Sequence, residues 1–127
     1  MTFALSKRSL QRLEGVHPDL VAVVKKAIEI TEVDFGVTEG LRTLEKQKQY
    51  FEAGKSKTMN SRHLTGHAVD LVAYLEGAVS WEKALYRKVA DAMFEAAGKL
   101  DVEIEWGGNW TTISDSPHFQ LTWKDYP

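Results

Sequence analysis

The sequence predicts an α+β domain with a small, mainly antiparallel sheet and flanking helices. A helical stripe is the first sign: Leu20, Val23, Val24, Ala27 and Ile28 recur at i, i+3, i+4, i+7 and i+8. Four short segments read as strands, at 35–38, 68–73, 102–106 and 118–121. Helices and strands mix without the regular βαβ alternation of a parallel sheet. At 127 residues the chain reads as one domain, 1–127, with one hydrophobic core.

Pro18 suits the first position of a helix running to about Ile30. Phe35-Gly36-Val37-Thr38 follows as a short strand, and Gly40-Leu41-Arg42-Thr43 turns out of it. Thr43 is placed to cap a polar helix through about Ala53, stopped by Gly54. Lys55 to Asn60 read as an irregular loop. Ala68 to Ala73 form an apolar strand around Asp70. Ser80 is expected to cap the longest helix, with Leu85, Val89, Ala92, Met93 and Ala96 on its inner face and Gly98 at its end. The chain shows no repeat, low-complexity tract or linker.

A net charge of -2 argues against nucleic acid as a partner, because there is no basic excess to neutralise phosphates. The local group Lys46, Lys48, Lys55, Lys57 and Arg62 reads as a solvated face. With no cysteine, any metal site must be built from His, Asp and Glu. Ser6, Lys7 and Arg8 interrupt anything like a signal peptide, and no run approaches the ~18 apolar residues of a membrane span. The chain is therefore expected in the cytosol until something releases it, without stable membrane association. Gly54-Lys55-Ser56 imitates the end of a P-loop, but Gln49 stands where its first glycine belongs. There is no G-x-S-x-G elbow and no H-E-x-x-H helix. Glu82 and Asp91 read as the solvated face of a helix rather than as a glycosidase pair.

The most informative run is Ser61-Arg62-His63-Leu64-Thr65-Gly66-His67-Ala68-Val69-Asp70. His63 and Asp70 offer an imidazole and a carboxylate, and His118 follows in Asp115-Ser116-Pro117-His118-Phe119. Two histidines and a carboxylate leave the fourth position of a tetrahedral zinc to a water, which points to a metal-dependent hydrolase. Asp70 lies among Ala68, Val69, Leu71 and Val72, where a carboxylate is costly to bury unless paired or metal-bound. Its ordinary alternative partner is an arginine. Alternation from Asp70 turns His67 to the other face of the strand, outside the ligand set, and His17 belongs to the helix N-terminus. Asp115 is either the proton shuttle that metal hydrolysis needs or a turn former in Ser114-Asp115-Ser116-Pro117. Arg42 offers a planar fork of donors to a developing oxyanion, or forms a surface salt bridge. Trp106-Gly107-Gly108-Asn109-Trp110 reads as a strand entering a glycine turn, with one tryptophan in the core and the other lining a groove.

Ser61-x-His63-x-x-Gly66-x-Ala68-x-Asp70 followed by Asp115-x-Pro117-His118 resembles phage endolysins of the L-alanyl-D-glutamate peptidase type. That family is grouped with the D-alanyl-D-alanine carboxypeptidases and the hedgehog-like zinc domains. The resemblance extends to Val16-His17-Pro18-Asp19-Leu20, Asp34-Phe35, Glu39-Gly40-Leu41-Arg42-Thr43 and Trp106 to Trp110. It implies one zinc ion per chain on His63, Asp70 and His118, with Asp115 as catalytic acid/base and Arg42 at the substrate carbonyl. It also implies that Ser61, Trp106 and Asn109 touch substrate or brace the site, although relatives usually carry Asp where Asn109 stands. The implied substrate is the peptidoglycan stem peptide, cut between L-Ala and D-Glu by a monomeric enzyme. Without a separate wall-binding domain, such an enzyme suits action from inside a Gram-negative-type cell after the membrane is permeabilised. Two alternatives are a D-Ala-D-Ala carboxypeptidase or dipeptidase and a catalytically silent zinc-binding interaction domain. The carboxypeptidase relatives usually carry Glu as base and Trp after the last His, where this chain has Asp115 and Phe119. A silent domain needs neither Arg42 nor Asp115.

Overall fold

The computed structural model describes residues 3–55, 61–110 and 115–127. Most helix starts are set by side chains that accept otherwise orphaned N–H groups. In α1 (Lys7–Arg12) the Ser6 hydroxyl accepts from the Ser9 N–H. That single short turn carries no apolar periodicity, and sequence reasoning missed it. α2 (Pro18–Ile30) begins as expected, with Pro18 in its first turn and His17 Nδ1 accepting from the Asp19 N–H at 3.1 Å. The Leu20–Ile28 stripe is buried as predicted. Thr43 caps α3 (Leu44–Glu52), and Gly54 follows with a left-handed φ of 76°.

The last helix, α4 (Lys83–Leu100), differs from expectation at both ends. Ser80 ends the short strand β3 (Ala78–Ser80) instead of capping the helix. Its hydroxyl still accepts from the N–H of Glu82, the residue at the cap position. Gly98 lies inside the helix, which closes at Asp101 with φ 58°. Aspartate tolerates the left-handed conformation better than most side chains, so the helix runs past the glycine to a second acceptable stop. Of the loop expected at Lys55–Asn60, only Lys55 lies among the described residues.

Among the described residues the sheet has five strands, and every pairing in it is antiparallel. β1 (Phe35–Glu39), β2 (Ala68–Leu75), β5 (His118–Leu121) and β4 (Ile104–Trp106) lie in the order β1-β2-β5-β4, and β3 pairs with the far end of β2. Period-two alternation gives the sheet two different faces. Phe35, Val37, Val69, Leu71, Ala73, Ile104, Trp106, Phe119 and Leu121 join the buried stripes of α2 and α4 in one core. Asp70, His118 and Gln120 alternate with these core residues and line the other face.

A β-bulge alters this pattern at one place. Val37 pairs with Leu71, but the register then shifts so that Glu39, not Thr38, stands opposite Asp70. One extra residue turns Glu39 from the core face to the face that Asp70 occupies.

The motif preceding β2 is fastened to the start of α2. Gly66 has φ 75°, and its carbonyl accepts from the His17 N–H at 2.8 Å. A Cβ on Gly66 would run into the Gly15 carbonyl oxygen. Gly66→Ala combines this clash with a disfavoured backbone, so it is expected to lower unfolding stability by roughly 1–3 kcal/mol. Urea denaturation measures this; an unchanged midpoint would mean that the Gly15 turn gives way freely.

Candidate metal centre

Three strands bring the site together at one level. Glu39 on β1, Asp70 on β2 and His118 on β5 are consecutive cross-strand partners. His63 comes from outside the sheet, on a 3-10 turn (Arg62–Thr65) whose start is capped by Ser61 Oγ accepting from the His63 N–H. Two backbone-linked contacts join this turn to the segment after β1. His63 Nδ1 donates to the Gly40 carbonyl at 2.8 Å, and the Arg42 N–H donates to the His63 carbonyl at 2.9 Å. The turn is also pinned to the C-terminal segment. Arg62 donates to the carbonyls of Leu121 and Tyr126 and lies 3.9 Å from the Trp123 ring centroid.

His63, Asp70 and His118 present ligand atoms that all lie within 4.8 Å of one another. Asp70 Oδ1 is 3.2 Å from both His63 Nε2 and His118 Nδ1. The opposite nitrogen of each ring already has an acceptor, Gly40 O for His63 and Gln120 Oε1 for His118. When neutral, each ring therefore directs a lone pair at the same carboxylate oxygen. Two lone pairs and an anionic oxygen converging on one point fit a divalent cation. Both rings are buried and Asp70 is half-buried. Burial pushes the Asp70 carboxyl up, but the hydrogen bonds that His118 and His63 donate whenever the nitrogen facing it carries a proton outweigh burial and hold Asp70 well below the usual range. Burial lowers the His118 pKa, and the hydrogen bond to Asp70, with further contributions from Gln120 and Asp115, reverses this to a net rise. The arginine partner considered for Asp70 is replaced by two imidazoles.

Asp115 is half-buried beside this group. Burial raises its carboxyl pKa and the Asp70 charge raises it further, against the opposing charges of His118, His63 and Arg42. Its carbonyl accepts from the His118 N–H at 3.1 Å, so Asp115 also opens the turn leading into β5. The Asp115 N–H donates to Gly107 O at 2.9 Å, and a Cβ on Gly107 would collide with the Asp115 carbonyl. Trp106 Nε1 donates to Ser116 O at 2.7 Å from within the core, bracing the same turn from behind. It is Trp110 whose ring lies against His118, at 5.1 Å between centroids. Asn109 is exposed at the end of a short 3-10 turn, Gly107–Asn109. His67 sits against His17, 5.4 Å away, outside the ligand group.

Arg42 forms a salt bridge, but a buried one. Its Nε and Nη2 donate to Glu39 Oε1, its Nη1 donates to Gln47 Oε1 at 2.6 Å, and the guanidinium lies over the Tyr50 ring. These bonds use three of the five donors of a guanidinium. Sequence reasoning missed Glu39, Gln47 and Gln120. A regular strand would place Glu39 on the core face, and only the bulge turns it to the site.

A sequence profile described as phage L-alanyl-D-glutamate peptidase matches residues 1–123. The chain belongs to this family. It is 31% identical over 119 residues to the L-alanyl-D-glutamate peptidase of Escherichia phage T5, covering 91% of this chain and 87% of that one. The crystal structure of the Serratia marcescens L-Ala D-Glu endopeptidase ChiX matches with a TM-score of 0.91 and 51% identity, over 95% of this chain and 91% of that one. The L,D-carboxypeptidase DacB of Streptococcus pneumoniae matches with a TM-score of 0.50 and 18% identity, over 86% and 67% of the two chains. That last likeness extends the fold alone to a carboxypeptidase.

Glu39→Ala would leave the buried Arg42 guanidinium without its carboxylate. The expected loss of stability is roughly 3–5 kcal/mol, as for breaking one side of a buried ion pair. Chemical denaturation reads this directly, and a loss no larger than that of a surface pair would show that solvent screens the contact.

Proposed function

We propose that this chain is a zinc-dependent endopeptidase that hydrolyses the L-Ala–D-Glu bond of the peptidoglycan stem peptide. The observation that carries the reading is the convergence of two imidazole lone pairs and one carboxylate oxygen beside Asp115. Membership of the L-alanyl-D-glutamate peptidase family supports the choice of bond. His63, Asp70 and His118 would hold the ion, and zinc, a borderline metal that takes imidazole and carboxylate ligands, suits this cysteine-free donor set. Bound there, zinc would supply Lewis-acid polarisation of a carbonyl and lower the pKa of a water.

Asp115 is the acid/base in this reading. It removes the proton of the attacking water and returns it to the departing D-Glu amine. A carboxyl raised by burial and by a neighbouring anion is a stronger base than one in water. Arg42, held rigid by Glu39 and Gln47, offers its remaining donors to the scissile carbonyl. Trp110 borders the ligands, while Ser61 and Trp106 act from behind by fixing His63 and the Asp115 turn. The reading places the chain as a monomer in the host cytoplasm until the wall becomes accessible. No described helix is long and apolar enough to cross a membrane.

Metal analysis of the purified protein is expected to find one zinc per chain, and His118→Ala to lose it. Stoichiometric zinc in that variant would overturn the ligand assignment. Asp115→Asn is expected to keep zinc and fold while turnover falls by roughly 100- to 10,000-fold. Mass spectrometry of digested, purified peptidoglycan tests the bond itself. New N-terminal D-Glu with a freed L-Ala carboxyl is expected, whereas release of D-Ala alone would make the chain a carboxypeptidase.

A further inference from the structure

A neutral imidazole carries one N–H, and only the other nitrogen can take a metal. For His63 the choice is made by the backbone. Nδ1–H is held by the Gly40 carbonyl, an acceptor that cannot donate. For His118 the partner is the Gln120 side-chain amide, with Oε1 2.8 Å from Nε2 in a buried contact. An amide has two ends. Turned over, it would present its NH2 to Nε2 and move the imidazole proton to Nδ1, the nitrogen that faces Asp70.

Something must therefore orient the amide. Gln120 and Glu105 are cross-strand partners on β5 and β4, and Gln120 Nε2 donates to Glu105 Oε2 at 3.3 Å. A carboxylate only accepts, so it keeps the NH2 on its own side and Oε1 on the His118 side. The charge of Glu105 also acts on the buried guanidinium of Arg62, which lies on the same side of the site.

We propose that Glu105 and Gln120 are positioning residues for the metal centre: Glu105 orients the Gln120 amide, and the amide holds His118 in the form that presents Nδ1 to a metal. This rests on the reading of His63, Asp70 and His118 as ligands. It makes the two histidine ligands unlike, one fixed by a main-chain carbonyl and the other by a chain of two side chains.

The test compares the full-length parent with Gln120→Leu, Gln120→Glu and Glu105→Gln. Zinc affinity is measured by competition with a chromophoric chelator, and the His118 tautomer by 15N NMR of the metal-free protein at alkaline pH. Gln120→Leu is expected to weaken zinc binding by roughly 10- to 100-fold, the usual effect of losing a group that orients a ligand. Gln120→Glu retains the acceptor and is expected to bind zinc close to the parent's affinity. Glu105→Gln no longer forbids the turned amide and is expected to give a mixture of His118 tautomers. If Gln120→Leu does not fold, the Glu105→Gln spectrum decides alone, and a single parental tautomer there overturns the proposal. Parental zinc affinity in Gln120→Leu also overturns it, as does a Gln120→Glu variant that binds no better than Gln120→Leu, which would assign the loss to packing. In each of these cases a parent that binds zinc leaves the metal reading standing. A parent that binds no zinc removes the metal reading and this inference together.

Discussion

A carboxylate on an inner strand, with an imidazole against it from each of two directions, is the contact that the surrounding structure serves. Asp70 has no freedom to move, because β2 is hydrogen-bonded to β1 and β5 on its two sides. Its desolvation is tolerated only while both His63 and His118 face it. His118 is delivered by strand pairing alone, as the direct partner of Asp70. His63 has to be brought from a separate turn, which Ser61 caps and which contacts at Gly40, Gly66 and Arg62 fasten to three different parts of the molecule. Much of the loop chemistry in this small domain serves to hold one ring against one carboxylate.

The same economy governs the positive charge nearby. Arg42 reaches the site on the segment leaving β1, and its neutralising partner Glu39 is the last residue of that strand. The segment also contributes the Gly40 carbonyl to His63 and the Arg42 N–H to the His63 carbonyl. Four consecutive residues thus hold both a candidate ligand and the cation proposed to face substrate, so a shift of this segment would disturb both at once.

The parts legible in the sequence were those whose signal is local. His63 and Asp70 share one run, His118 and Asp115 another, and the Leu20–Ile28 stripe and the Thr43 cap need only neighbouring residues to be read. The illegible parts depend on contacts distant in sequence. Gln120 is an ordinary strand residue until Glu105 is known to lie across from it on β4. Trp106 and Trp110 read alike in sequence, and only the fold sends the first into the core and sets the second against His118. Short β3 and α1 carry too few residues for any period to show. The ends of α4 were misplaced because Ser80 and Gly98 are good stop signals that the pairing of β3 and the packing of the helix override.

The bulge between Val37 and Glu39 separates the inheritance of the fold from that of the site. A β1 drawn straight, with Thr38 and not Glu39 opposite Asp70, would restore an unbroken ladder with β2 and leave Phe35, Val37 and the core they join in place. Glu39 would then turn toward the core, and the segment that carries Gly40 and Arg42 would set out from the wrong side of the strand. A descendant that lost this one bulge would still fold as the same α+β domain and still display His63, Asp70 and His118 in its sequence. Its arginine would have lost its partner. The bulge in β1, more than the presence of the ligand motif, decides whether Glu39 meets Arg42 beside the proposed centre.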